Sequence, residues 1–283
     1  MVTIKSRAKL NLTLNIEGMF DNTYHRLSSV MTTVDVFDIV SVSKRSDNRV
    51  IVTVDNTIDV LNVANKVASA IVKEFGVNGV DIYVDKNVPI MGGMGGSSVD
   101  ASAVISAMSM LYNLPLDKPM LDIASMLGSD IVYLLRGGLA LVTGKGDEVT
   151  YINSDRQLDF VIINGPRLAT TDVFREYDVQ PDYTLHDNML VLEHLTTGDI
   201  VNARFNMGNN LQSSAIRLAQ NIADILSLCY QLHIPEPILT GSGGNLYILC
   251  NNGQEARKYC TLLTTHGVDC YTTCSTTSAI DIM

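Results

Sequence analysis

The chain has 283 residues, 46% of them hydrophobic and 18% charged, with a formal net charge of −10. This is a globular composition, long enough for one large or two closely packed domains, and it excludes a disordered chain. An acidic chain without a Lys/Arg cluster is not a charge-steered nucleic-acid binder, so a phosphate ligand must be met by local donors.

The first fifty residues read as strands: 3–14 and 35–43 carry β-branched alternation, and 51–54 is a further short strand. Asp59 opens a helix with Leu61, Ala64, Ala68, Ile71 and Phe75 on one face, and Gly76 stops it. A strand over 81–85 leads into a glycine-rich loop, followed by an apolar helix from Ala101 to Leu111. Asp117-Lys118-Pro119 starts the next helix, which ends near Leu127. Gly128-Ser129-Asp130 begins a turn, and Gly137-Gly138 leads into a strand over 139–143 with a second turn at 144–147. A polar stretch at 150–158 divides the chain. Beyond it come a strand at 160–164, a helical region at 184–229, a strand at 245–250, a helix at 254–266 and a last strand around Asp269.

The five cysteines (Cys229, Cys250, Cys260, Cys270, Cys274) are odd in number and lack a C-x-x-C pair, so they read as buried thiols of a reducing compartment. The N-terminus reads as a strand, not a signal peptide, and no apolar run approaches the roughly 18 residues of a membrane span. The expectation is a soluble cytoplasmic protein, monomeric or homodimeric, with neither membrane nor nucleic acid as partner.

The segment Pro89-Ile90-Met91-Gly92-Gly93-Met94-Gly95-Gly96-Ser97-Ser98-Val99-Asp100-Ala101 carries most of the chemistry. Its glycines let the backbone approach a ligand closely. Ser97 and Ser98 add hydroxyls, and the following helix N-terminus offers unpaired N–H groups and a partial positive charge. Together these describe an anion site for a phosphate, although a Gly-rich helix cap looks similar. No Lys follows the last glycine, which excludes a P-loop, and no G-x-G-x-x-G spacing is present.

Phosphoryl transfer needs a carboxylate near the attacking hydroxyl and charge neutralisation around it. Lys9 lies inside an otherwise apolar strand, either at an edge or paired. Asp130 stands before an apolar run, either as a helix cap or as a partly shielded base. If the two meet, Lys9 holds Asp130 ionised and oriented. Tyr24-His25, in a polar loop, suits stacking on a ring and hydrogen bonding to its edge, or simple surface packing. Gly241-Ser242-Gly243 is a second glycine turn before a strand.

In their order these pieces resemble the GHMP kinase superfamily over nearly the whole length, most weakly at 178–235. The opening Ala8-Lys9-Leu10-Asn11-Leu12-Thr13-Leu14 is similar to the family's A-K-[IL]-N-L-x-L. Gly18 to Leu27 is similar to G-x-x-x-D-G-Y-H-x-L, and 33–38 to T-[IV]-D-L-x-D. The glycine segment matches P-x-x-[AG]-G-[LM]-[AG]-G-[GS]-S-S-D-A. Leu127 to Ile131 resembles L-G-[SA]-D-[VI], and Gly241-Ser242-Gly243 the third glycine motif.

The resemblance implies an α+β two-domain fold. Residues 1–152 would form a part like ribosomal protein S5 domain 2, with the phosphate loop and the catalytic Asp, and 153–283 a ferredoxin-like part. It implies a kinase using ATP and Mg²⁺ on an alcohol group of a small molecule carrying cytidine diphosphate. Asp130 becomes the base and Lys9 its electrostatic partner. Asn62, Pro89, Gly92, Gly93, Met94, Gly95, Gly96, Ser97 and Ser98 would bind ATP. Mg²⁺ would be held mainly through ATP, with Ser98 as the one candidate protein ligand. Asn11, Tyr24, His25, Thr170, Gly241, Ser242 and Gly243 would bind the substrate, Tyr24 and His25 holding the cytosine. Five positions depart from the pattern: Thr23, Val99, Val132, Ala169 and Gly244. Val99 is expected to delete a hydroxyl from the phosphate site and weaken it. A kinase of another small alcohol and a non-catalytic ATP-binding homologue are the alternatives.

Overall fold

The computed structural model describes residues 1–20, 24–55, 57, 58 and 62–283, with the backbone alone at 57 and 58. Thr23, Asp59 and Leu61 lie outside the described residues.

The N-terminal half runs β1 (Val2–Asn11), β2 (Thr13–Phe20), β3 (Tyr24–Lys44), β4 (Val50–Val54), β5 (Thr57–Ile58), α1 (Val63–Phe75) and β6 (Val80–Asp85). It continues with α2 (Gly96–Tyr112), α3 (Lys118–Leu127), α4 (Ser129–Leu134), β7 (Ala140–Gly144) and β8 (Glu148–Tyr151). The C-terminal half begins with β9 (Asp159–Ile163), α5 (Thr170–Val179), α6 (Asn188–Thr197), α7 (Ile200–Asn206) and β10 (Gly208–Asn209). It ends with α8 (Gln212–Leu218), α9 (Gln220–Gln231), β11 (Ile238–Leu239), β12 (Leu246–Cys250), α10 (Gly253–Thr265), β13 (Cys270–Thr276) and β14 (Ile280–Ile282).

The long strand β3 is the spine of the sheet, pairing antiparallel with β1, β2, β6, β7 and β13. The sheet path runs β11-β12-β9-β13-β3-β6-β4-β5, so strands of both halves belong to one hydrogen-bonded system. β14 returns to pair with β1, and Arg7 is tied there to Asp281 and Asp35. A core cluster containing Ala8, Leu10, Met94 and Val99 together with Phe160, Tyr247 and Leu249 joins the halves.

Several segments differ from the sequence expectation, among them three that contain helices. Helix α1 starts at Val63 because the Asn62 side chain accepts the Ala64 N–H at 2.8 Å and caps it there. Gly76, at φ 62°, ends it as expected. Helix α2 begins at Gly96, five residues before Ala101, which puts Ser97 and Ser98 in its first turn. Residues 99–108 of α2 are buried on every side, as in a helix enclosed between a sheet and other helices. The helical region at 184–229 is broken by Gly198 and by β10, and α5 precedes it, with the weak helix formers Thr170, Thr171 and Val173 in its first turn. Among the described residues no helix is long and apolar enough to cross a membrane.

Candidate active site

A cavity of about 440 Å³ opens between the glycine segment and the C-terminal half. Asn62, Pro89, Gly92, Gly93, Gly95, Gly96, Ser97 and Ser98 line one side, with Lys9 and Asp130 at the base and Thr170, Ser242 and Gly243 opposite. The backbone forms this cradle for local reasons. β6 delivers the chain to Pro89, and Gly93 and Gly95 take φ of +78° and +79°, a left-handed region that favours glycine. Gly95 is also the N-cap of α2, so the helix N-terminus faces the cavity without a side chain in the way.

The glycine segment is held from behind by the third glycine motif. A Cβ on Gly93 would overlap the Thr240 carbonyl oxygen, and one on Gly243 would overlap the Gly93 nitrogen. The two turns therefore pack backbone to backbone. Thr240, fully buried, also accepts the Asn11 N–H at 3.2 Å.

Lys9 and Asp130 meet, with Nζ and Oδ2 3.4 Å apart. The Lys9 side chain is 5% exposed and that of Asp130 28%, so the ammonium is fixed while the carboxylate reaches the cavity. The register of β1 against β3 shifts between Arg7 and Lys9, an irregularity of the kind that re-aims a side chain. The Lys9 ammonium also donates to Asn11 Oδ1; Asn11 Nδ2 donates to Ser29 Oγ at 2.8 Å, and Ser29 Oγ donates to the Thr13 carbonyl. This relay orients Lys9, and Lys9 orients Asp130. Asp130 lies in the first turn of α4, whose N-terminal dipole also favours its anion. The cap position itself belongs to Gly128, so Asp130 is not a capping residue.

Thr170 Oγ1 and Ser242 Oγ are hydrogen-bonded at 2.8 Å across the opposite wall. Asn62 lines the cavity while capping α1. Asn11 and Gly241 support Lys9 from beneath and do not line the cavity. Tyr24 and His25 lie outside it too. His25 Nε2 is 2.8 Å from Asp178 Oδ1 and its ring packs 4.8 Å from Phe174. Tyr24 is 61% exposed, with Lys145 Nζ 5.0 Å from its ring centre.

Two expectations are corrected. Met94 is fully buried, its sulfur near Asn245 Nδ2 and Tyr271 Oη, so its side chain contributes nothing to a nucleotide site. Its carbonyl accepts the Lys9 N–H at 3.1 Å. Val99 points into the core and does not line the cavity, so the hydroxyl it lacks is not missing from the cavity wall. Of the other departures, Val132 packs within α4, and Ala169 begins α5 without a side-chain cap. Gly244 lies against the Pro166 carbonyl with no room for a Cβ, let alone a proline ring.

Sequence reasoning missed Lys86, which lines the cavity and binds two buried carboxylates, Asp38 and Asp100. The signal was available: a lysine at the end of an alternating strand, three residues before the Pro that opens the glycine segment.

Comparison with known proteins agrees with this geometry. The family described as GHMP kinases N terminal domain matches residues 62–142. The 4-diphosphocytidyl-2-C-methyl-D-erythritol kinase of Syntrophomonas wolfei is 32% identical over 268 residues, 91% of this chain and 92% of that protein. The kinase of the same name from Cutibacterium acnes is 30% identical, covering 91% and 88%. Among solved structures, a 4-(cytidine 5'-diphospho)-2C-methyl-D-erythritol kinase superposes with TM-score 0.77 at 24% identity, over 96% of this chain and 98% of that one. The homoserine kinase of Cytophaga hutchinsonii reaches 0.75 at 15% identity, over 100% and 97%. With a glycine-lined cavity, a lysine–carboxylate pair at its base and relatives of this identity along nearly its whole length, the chain belongs to the GHMP kinases, a family of small-molecule kinases, and within it to the 4-diphosphocytidyl-2-C-methyl-D-erythritol kinases.

Proposed function

We propose that the protein transfers the γ-phosphoryl group of ATP to the 2-hydroxyl of 4-diphosphocytidyl-2-C-methyl-D-erythritol, a step of non-mevalonate isoprenoid biosynthesis. The observation that carries this reading is the Lys9–Asp130 pair, 3.4 Å apart at the base of a glycine cradle. The first turn of α2 and the backbone N–H groups of 95–98 take the phosphates. Asp130 accepts the proton of the substrate hydroxyl as its oxygen attacks the γ-phosphorus. The bond from that phosphorus to the β–γ bridging oxygen breaks and ADP leaves. Lys9 keeps Asp130 ionised and oriented, and its charge offsets part of what develops at the transferring group.

Among the described residues no cluster of three or more His, Cys, Asp or Glu side chains is arranged to hold a metal. Mg²⁺ would come to this site with the nucleotide, with the Ser98 hydroxyl the protein group assigned to it, and it would neutralise phosphate charge. Tyr24 and His25, on the β3 end of the molecule, are assigned to the cytosine, and Thr170 and Ser242 to the rest of the substrate. Residues 1–152 and 153–283 are taken as an S5-domain-2-like and a ferredoxin-like domain, and the protein as cytoplasmic.

The test is ADP release with ATP, Mg²⁺ and the diphosphocytidyl substrate, beside homoserine, mevalonate and galactose. Turnover confined to the cytidine compound is the expected result. Turnover with another alcohol alone would move the protein to a different branch of the family.

A further inference from the structure

A second cavity, of about 680 Å³ against about 440 Å³ at the candidate active site, lies in the C-terminal half and shares no lining residue with it. Helix α7 supplies Val201, Arg204 and Phe205, α8 supplies Ile216, β11 supplies Ile238 and β12 supplies Leu249. These side chains, apolar apart from Arg204, suit a ligand with an apolar body.

Arg204 is the under-used group of this wall. Its Nη2 donates to Glu255 Oε2 at 3.1 Å, and its Nε–H is buried without an acceptor. Among the described residues its Nη1 binds no protein group. Glu255 also accepts from the Asn251 N–H, Asn251 Nδ2 and Tyr259 Oη, which leaves none of its roughly four lone-pair sites for a second Arg204 bond. His186 lines the same cavity, its ring lying where a Cβ of Gly208 would be. Among the described residues its ring nitrogens have no hydrogen-bond partner. Burial pushes its pKa below the ordinary value while Asp182 pulls it up, so at pH 7 the ring is neutral, with one donor and one acceptor. Asp182 and Glu236 line the cavity as well, so with Glu255 three carboxylates stand near one guanidinium. An anion would add to that excess, and an uncharged molecule would not. An amide matches what remains: a carbonyl oxygen for the guanidinium and an N–H for the imidazole.

We propose that this cavity is a second ligand site, taking an uncharged amide with an apolar body, and that its occupancy tightens nucleotide binding through β11. The coupling, unlike the site itself, rests on the cavity at Lys9 being the ATP site. The path is short. Asn209 and Gln212 belong to the wall of the second cavity and clamp β11. Gln212 Oε1 accepts the Leu239 N–H at 2.7 Å, and Asn209 Nδ2 donates to the Leu239 and Gly241 carbonyls, both at 2.8 Å. Gly241 in turn lies against the reactive site: a Cβ there would stand 3.1 Å from Lys9 Nζ and 2.6 Å from the Gly93 carbonyl oxygen. A ligand packed behind Ile238 leaves β11 less room to retreat from Gly93. The glycine cradle is then held in its binding form, and by linkage the nucleotide tightens the amide by the same factor.

The test uses the full chain and two probes with the same body, N-acetylphenylalaninamide and N-acetylphenylalanine, the second carrying a carboxylate. Saturation-transfer NMR at about pH 7.5 should give the amide a Kd of about 1 mM or tighter, with the acid at least about tenfold weaker. Arg204→Met keeps the apolar stem and removes the donors, and should weaken the amide about tenfold. Val201→Trp fills the cavity from a half-exposed position and should weaken it as much, which keeps the test decisive if Arg204→Met does not fold. In calorimetric titration, saturating amide should tighten binding of Mg²⁺–adenylyl imidodiphosphate, an ATP analogue, by about threefold in wild type and leave it unchanged in Val201→Trp. No saturable binding of the amide, equal binding of amide and acid, or undiminished binding in either variant would overturn the site. Analogue affinity unmoved or weakened by the amide would overturn the coupling. No binding of the analogue to any form would instead remove the ATP-site reading on which the coupling stands.

Discussion

Two lysines brace the glycine segment, Lys9 beside Gly95 and Lys86 beside Gly96, and their settings are opposite. Lys9 faces one carboxylate, 28% exposed and directed into the cavity. Lys86 faces two, both buried, and spends its third proton on a backbone carbonyl. A half-open pair leaves a carboxylate able to take a proton from a substrate. A closed cluster leaves no oxygen for a substrate and can act only by holding the backbone and the charge around it. The lysine–aspartate chemistry is the same; exposure and stoichiometry decide which pair reacts.

The largest effect should come from breaking the reactive pair. Asp130→Asn should lower kcat by roughly 10²- to 10⁴-fold, the usual contribution of a positioned base. Circular dichroism and binding of the ATP analogue should stay close to wild type. Retained turnover would move the base elsewhere.

Next is the backbone packing of the two glycine turns. Gly93→Ala puts a Cβ into the Thr240 carbonyl at a positive φ, and should destabilise the protein by about 3 kcal/mol or more in urea unfolding. An unfolding midpoint equal to wild type would mean that the two turns are not packed as described.

Val99→Ser restores the hydroxyl of the family pattern. Because Val99 is core, the change should cost about 1–3 kcal/mol of stability with no gain in kcat/KM. A rise in activity would return that hydroxyl to the phosphate site.

The smallest effect is expected at the exposed end of β3. Tyr24→Ala should raise KM for the cytidine substrate about fivefold, from the loss of about 1 kcal/mol of ring contact, with KM for ATP unchanged. Equal changes in both constants would argue against a pyrimidine at Tyr24.

Much of this was legible in the sequence because it is local. The Gly76 stop, the Pro-led helix α3 and the glycine segment each announce themselves within a few residues. Lys9 and Asp130 could be named but not joined, since 121 residues of chain separate them and only the sheet brings them together. The inward turn of Val99 was hidden for a different reason. Ser98 and Val99 are neighbours on a helix, about 100° apart, and the choice of which faces the ligand depends on where that helix starts. Placing the start at Ala101 instead of Gly96 made both look like loop residues. The Lys86 cluster draws on β3, the end of β6 and α2, and no short motif spans all three.

The backbone contact between the two glycine turns has a kinetic consequence. Thr240 and Gly93, joined across a separation of 147 residues, cannot meet until β11 and β12 have docked on β9 and that sheet has joined β3. Helices such as α1 and α3 form from local contacts and gain their signal early, whereas closure of so long a loop is slow. Catalysis during refolding should therefore return later than helicity, and the delay between the two signals would time the closing of the cradle.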